Sequence, residues 1–296
     1  MIDCIPVLFY LAHVQHIEFV HSNHFEINYH RYHVTGPLSL FIDFFWQTKF
    51  EDLWHQYPQG FSDVLFPNLG YSYLVNLGTA YDMQVDEERR RIKGDGFLPR
   101  LHHIEAFHKP GNVLFGIKFK VSPVLFEKKV NFSEYNGGMY PLSYLMDGGL
   151  LLQVKKAASF EQRVKLLMNY YGQLTELYKG SLVPIHIVTE ILQRSVEENI
   201  FTLPVEELAA RYSISSRTLQ RYFEMTTGVG SKQALQVLRI RKAVEQIVRQ
   251  PGNFHYTQFG YYDYSHFHKH LRSFLQKENI AYLQPHLQLL KRAKGK

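Results

Sequence analysis

Val205-Glu-Glu-Leu-Ala-Ala-Arg-Tyr-Ser-Ile-Ser-Ser-Arg-Thr-Leu-Gln-Arg-Tyr-Phe-Glu-Met225 is the stretch whose reading decides the C-terminal fold. Residues 205–212 make an amphipathic helix of about two turns. Ser213-Ile-Ser215 is a tight turn, and Ser215 is placed to cap the next helix. That helix spans residues 216–225, with Leu219, Tyr222 and Phe223 turned inward. Ala209 is small where two crossing helices approach closely, and Ile214 plugs the turn. Leu208, Ala209, Ile214, Leu219 and Phe223 are the expected core. Ser216, Arg217, Thr218, Gln220 and Arg221 are left on the free face. A short helix, a capped turn and a second helix bearing arginines is what major-groove reading requires. A helical hairpin with no such role would show the same apolar positions, so the pattern leaves both readings open.

Charge supplies a second observation. The chain of 296 residues carries a net charge of +6, unevenly spread. Residues 201–296 hold 15 Lys and Arg against 6 Asp and Glu, whereas the first 200 residues hold 18 against 21. Basic charge confined to one segment points to a polyanion-binding module attached to something else. Removing Lys291, Arg292, Lys294 and Lys296 of the tail still leaves the segment positive.

Further along, Gly260-Tyr-Tyr-Asp-Tyr-Ser-His-Phe-His-Lys-His-Leu-Arg-Ser-Phe274 packs three histidines, a lysine and an arginine among aromatics. On a helix starting near Ser265, Phe267, Leu271 and Phe274 or Leu275 form the buried stripe. Ser265, His266, His268, Lys269, His270 and Arg272 share the other faces, where they can contact bases or phosphates. His266 and His270 stand four apart, but Asp263 is the one acidic neighbour and reads as the helix cap, so no metal is expected here.

Together the motifs resemble an AraC/XylS-type bacterial transcription regulator. The matching residues are Leu208-Ala209, Ile214-Ser215, Thr218-Leu219, Arg221-Tyr-Phe223, Thr227-Gly-Val229 and Leu238-Arg-Ile-Arg-Lys-Ala243. The second half-motif is Gly260-Tyr261, Asp263, Ser265, Phe267, Lys269, Leu271-Arg272 and Phe274. The resemblance covers roughly residues 201–285. It implies two helix-turn-helix units joined by a central helix at about 232–249. Recognition helices at about 216–225 and 265–275 would each enter a major groove. Two departures stand out. The family's Ile-Ala helix before the second recognition helix is replaced by Pro251-Gly-Asn-Phe-His-Tyr-Thr-Gln-Phe259, and Gly230 stands where Ser or Pro is common. Gln284-Pro-His-Leu-Gln-Leu-Leu290 reads as a final apolar patch.

The first 130 residues read as mostly β, with short strands between Gly, Pro and Asn turns. Phe115, Ile117, Phe119 and Val121 alternate with Lys118 and Lys120, the pattern of a half-buried strand. Glu87-Glu-Arg-Arg-Arg91 reads as a solvated loop or strand edge. Residues 36–125 are more weakly similar to the β-rich sensor domains that precede such DNA-binding domains, on Pro37-Leu38, Phe41-Ile42, Trp46, Asp63-Val-Leu-Phe-Pro67, Leu74-Val-Asn-Leu-Gly78, Gly96-Phe-Leu-Pro99 and Gly116-Ile-Lys-Phe119. Phe41, Phe44, Phe45, Trp46, Tyr71 and Tyr73 are expected in the core. His102-His103, Glu105 and His108 offer metal-ligand residue types, but sequential histidines on a strand point to opposite faces.

Between the two, Ser159 to Tyr178 places Phe160, Val164, Leu167, Leu174 and Leu177 at helical spacing, with Ser159 and Gln162 as a capping box. Gly180 ends that helix and Pro184 opens another, to about Asn199. These helices come after a Gly-rich bend at Asn136-Gly-Gly and Asp147-Gly-Gly.

The expected fold is two-domain α+β. It comprises a β-rich barrel or sandwich, cupin-like as one form, over residues 1–130, a helical linker or dimerisation region over 131–200, and an all-α double helix-turn-helix domain over 201–290. The single cysteine, Cys4, excludes an internal disulfide framework and a cysteine-rich zinc site. No apolar run reaches the roughly 18 residues of a membrane span. The opening MIDCIPVLFYLAHVQH reads as a strand or packing segment, and the protein as cytoplasmic. No nucleophile elbow, phosphate loop or dinucleotide fingerprint is present, so no enzyme, cofactor or metal is expected. Expected partners are double-stranded DNA, a small-molecule effector, a second copy of the chain and RNA polymerase. Two alternatives stay open: a regulator acting through protein partners, and a metal-dependent cupin-type enzyme fused to a DNA-binding domain.

Overall fold

A computed structural model describes residues 14–122 and 138–275. The opening apolar stretch up to residue 13, Asn136 and Gly137 of the first Gly-rich bend, and the tail patch from Gln284 lie outside them.

The first part is a β-sandwich carrying two short helices. In chain order it runs β1 (Val14–Ile17), α1 (Ser22–Ile27), β2 (Tyr29–His33), a 3₁₀ turn (Pro37–Leu40), β3 (Ile42–Thr48) and α2 (Glu51–Gln56). Next come β4 (Phe61–Leu65), β5 (Tyr71–Asn76), β6 (Tyr81–Val85), β7 (Glu88–Ile92), β8 (Gly96–Pro99), β9 (Ile104–His108), β10 (Leu114–Phe119) and, after the undescribed stretch, β11 (Tyr140–Pro141). One sheet has the order β1-β4-β9-β6-β7 and the other β11-β8-β5-β10-β3-β2. Neither closes on itself, so of barrel and sandwich the chain forms the sandwich. β1 runs parallel to β4, and the other pairings are antiparallel. β7 is a sheet edge, with Arg89 and Arg91 paired to Asp82 across the ladder, as the charged run predicted.

The helical part has α3 (Gly148–Lys156), α4 (Phe160–Leu177), α5 (Val183–Glu198), α6 (Val205–Arg211), α7 (Ser216–Thr227), α8 (Ser231–Arg249) and α9 (Tyr264–Phe274). The capping box forms: the Ser159 hydroxyl accepts from Gln162 N at 3.3 Å, and the Gln162 side chain accepts from Ala158 N at 2.9 Å. Phe160, Val164 and Leu167 are buried as expected, but Leu177 is 75% exposed, because α4 runs on past its last buried residue, Tyr171.

β10 corrects the half-buried reading. It lies between β3 and β5, and all six residues are buried. Phe115, Ile117 and Phe119 join one apolar cluster with Phe160, Val164, Leu167 and Tyr171 of α4 and Ile185 and Val188 of α5. The opposite face points at the other sheet, where Leu114 packs with Leu74, Met83, Leu98 and Ile104. Lys118 therefore faces the space between the sheets, and not water. Alternation reports two faces and says nothing about what covers each.

Candidate nucleic-acid interface and interior cavity

The first helical hairpin forms as its spacing requires. Ser213 turns the chain with φ of 55°, and Ser215 in extended conformation accepts from Thr218 N at 3.1 Å, capping α7. Leu208, Ala209, Leu219 and Phe223 are buried, and Ile214 packs against their cluster half-buried. Arg217 and Arg221 are exposed and make no ion pair among the described residues, while Ser216 and Thr218 are half-buried.

Gln220 is placed differently from its neighbours. Its side-chain oxygen accepts from Ser231 N at 3.2 Å and Ser231 Oγ at 3.0 Å, and its amide nitrogen donates to Glu224 at 2.8 Å. It satisfies the first donor of α8, whose N-cap, Gly230, has no side chain to do so. The departure at Gly230 thus has a structural counterpart. A Cβ there would lie 2.2 Å from the Gln220 amide nitrogen.

The second hairpin is supported by two 3₁₀ turns, Pro251–Asn253 and Tyr256–Phe259, in place of a regular helix. Aromatic rings fill the volume: Phe254, Tyr256, Tyr261 and Tyr264 all lie within 6.4 Å of the Phe267 ring. Gly260 has φ of 71°, and a Cβ there would sit 1.8 Å from Thr202 Cγ2, so glycine is required. Asp263 caps α9 by accepting from His266 N at 2.7 Å. Phe267, Leu271 and Phe274 are buried.

Ser265, His266 and Lys269 are exposed, and His268 and Arg272 half-buried. Tyr264, Ser265, His268, Lys269, Arg272 and Ser273 line an open hollow of about 430 Å³ along α9. His270 turns inward, its Nδ1 2.8 Å from the Tyr261 hydroxyl. Burial, then Arg239, lowers its pKa to about 4, so it is a neutral packing residue at physiological pH. Sequence reasoning missed Tyr262, 93% exposed immediately before the Asp263 cap. An aromatic outside the buried stripe was the available signal.

The first hairpin and the central helix are both fastened to the sandwich. Ser122 N donates to Thr226 O at 2.6 Å, at the end of α7. Arg241 of α8 donates to Phe66 O, Pro67 O and the Glu18 carboxylate at 3.1, 2.8 and 2.8 Å.

Between the sheets lies a cavity of about 110 Å³. Phe44 and Trp46, expected in the core, line it together with Leu74 and Met83, whereas Phe41, Phe45, Tyr71 and Tyr73 are core residues. Arg31, Arg100 and Lys118 supply its cationic lining, and Glu18 and Asp63 its anionic lining. Burial lowers Arg100 to about 10 despite the nearby Glu18, and holds Lys118 well below its ordinary value, with Arg100 adding to the effect. Lys118 Nζ donates to the carbonyls of Leu69 and Phe119. Sequence reasoning placed Lys118 in solvent and did not single out Arg100.

The residues tested for a metal do not converge. His102 bonds Asp86, Glu105 accepts from Gln15 and Ser62, and His108 faces Asp63 and Asn112. Among the described residues, no three His, Cys, Asp or Glu side chains are placed to hold a metal ion, and no helix is long and apolar enough to cross a membrane.

No family model and no curated protein matches the chain. Solved structures do. The chain is similar to AraC-type regulators. ToxT from Vibrio cholerae strain SCE256, bound to unsaturated fatty acid, is 10% identical with a TM-score of 0.36, over 71% of this chain and 84% of that one. A second ToxT structure is 12% identical with a TM-score of 0.36, over 72% and 93%. The AraC-like transcriptional activator CuxR is 9% identical with a TM-score of 0.26, over 73% and 77%.

Proposed function

We propose that the protein is a sequence-specific, DNA-binding transcription regulator whose helices α7 and α9 each read duplex major groove. The observation that carries this is that two helices in one basic segment are built by one rule. Each is capped at its first turn by Ser215 or Asp263, each buries an apolar stripe, and each presents Arg or Lys on the face left free. Arg217 and Arg221 are the base-reading candidates of the first unit. Lys269 and Arg272, with Ser265, His266 and His268, are those of the second. Residues 201–290 would be the DNA-binding domain, 1–130 the sensor and 131–200 the linker or dimer region, where Leu152 and Val183 are exposed.

The effector reading rests on the cavity. Arg31, Arg100 and Lys118 line it against the two carboxylates Glu18 and Asp63, and the buried Arg100 Nε has no partner among the described residues, so a small organic anion with an apolar body fits. The volume admits a compound of a few carbons in this form of the protein.

The test is selection from a random duplex library with the full-length protein and with the Arg217→Ala, Arg221→Ala double variant. The expected product is a motif of two short blocks about one helical turn apart, lost in the variant. Retained nonspecific binding without an enriched motif would overturn sequence-specific reading and favour action through protein partners.

A further inference from the structure

Residues 14–28 form a strap with two different faces. Strand alternation puts Ile17 outward, opposite Val64 of β4, in one apolar cluster with Phe66 and with Ile247, Phe267, Leu271 and Phe274 of α8 and α9. Phe19 stacks on Phe66 at 5.6 Å and lies 6.2 Å from the Phe274 ring. Glu18 holds Arg241. The outer face of the strap thus grips the proposed DNA-binding part.

The inner face carries His16, opposite Asp63 in the ladder, with His21 and His24 from the turn and α1. The His16 and His24 rings stack at 3.7 Å, nearly parallel, and His21 lies edge-on 5.7 Å from His16. One buried carboxylate faces them: Asp63 Oδ1 is 3.0 Å from His24 Nε2, and Oδ2 takes the Tyr29 hydroxyl and lies 3.5 Å from His108 Nε2. Tyr57 of the loop after α2 and Tyr81 of β6 pack their rings against His16 and His108, and Arg31 on β2 lies near enough to Tyr29 to interact.

The hydrogen bonds fix where protons sit. Asn112 donates its amide to Thr79 O, so its oxygen faces His108 Nδ1 at 2.7 Å, and that nitrogen carries hydrogen. His108 Nε2 is then left facing the Asp63 carboxylate at 3.5 Å. Asn28 donates to His24 Nδ1 at 3.1 Å, and Ile17 N donates to His21 Nδ1 at 3.2 Å. Any further proton must displace one of these donors or charge one ring of the His16–His24 stack.

We propose that residues 14–28 are a proton-responsive strap: mild acid puts charge on the inner-face cluster around His16, releases the strap from β4, and with it the Ile17, Glu18 and Phe19 grip on α8 and α9. Burial and then His24 lower His16 to about 4, and burial lowers His21. A free imidazole titrates near 6.5. Because the closed-form values lie below the free one, opening takes up protons as pH falls from about 6.5 towards 4. Each proton taken up favours the open form by about tenfold per pH unit inside that window. Asp63 works the other way. Burial alone would raise it, but bonds to His108 and His24 hold it well below the usual carboxylate range, so it stays charged throughout.

The output, though not the strap itself, rests on the DNA-binding reading. The experiment is hydrogen exchange of the full-length protein at about pH 7.5 and about pH 5.5, corrected for intrinsic rates, with duplex binding measured alongside. Peptides spanning 14–28 and 264–275 should each lose at least about tenfold protection in acid. A His16→Gln, His24→Gln double variant should hold its protection, and should it fail to fold, His16→Gln alone should cut the loss. Equal protection at both pH values in the wild type, or an equal loss in the variants, overturns the strap. Opening of 14–28 with 264–275 unchanged overturns the coupling to α9. A strap that opens in a protein that binds no duplex at either pH refutes DNA binding and leaves the strap standing.

Discussion

Gln220 and Lys118 show how much a single side chain's surroundings change its meaning. Gln220 sits on the polar face of a recognition-type helix, yet its oxygen caps α8, the next helix along the chain. Gln220→Ala should cost about 1 kcal/mol, the usual worth of an N-terminal cap, read as a lower urea midpoint of unfolding. An unchanged midpoint would return Gln220 to the DNA-facing set. Arg217 and Arg221 are free of such duties, and each bidentate base contact proposed for them would be worth about 1–3 kcal/mol of discrimination.

The two hairpins were legible as elements because caps and apolar stripes are local features. Ser215 and Asp263 announce helix starts, and Phe267, Leu271 and Phe274 recur at helical spacing. Phe267→Ala should cost about 3–5 kcal/mol by leaving a cavity among four aromatic rings. The loss should fall on the second hairpin, with hydrogen exchange rising in 250–275 and α7 keeping its protection. A melting temperature equal to wild type would remove Phe267 from the core. The aromatic run 251–259 was less legible: its two 3₁₀ turns owe their shape to packing on Phe267 and α8, and carry no period of their own.

For the whole molecule, the cavity is the test of an effector. Lys118→Met removes a buried amine that donates to two carbonyls and has no ion pair among the described residues. The variant should fold as stably as wild type or more so, since a desolvated polar head is replaced by an apolar chain of similar length. Small carboxylates should raise the melting temperature of the wild type and leave the variant unmoved. An equal shift in both would place the anion elsewhere. The same global arrangement joins sandwich to helices through Arg241, Ser122 and the strap, contacts between residues more than a hundred positions apart.

Helix caps, stripe residues, strand alternation and the basic bias of residues 201–296 were set by the sequence itself, because each depends on neighbours within a turn or a strand. Tertiary structure alone decided which strand face meets helices and which meets the cavity, that Lys118 is buried, and that His16, His24, Asp63 and His108 share one interior site. The physical reason is that burial and charge pairing are properties of assembled surfaces. β4 and β9 bring Asp63 beside His108 across 45 residues of chain, and no periodicity within either strand encodes that meeting.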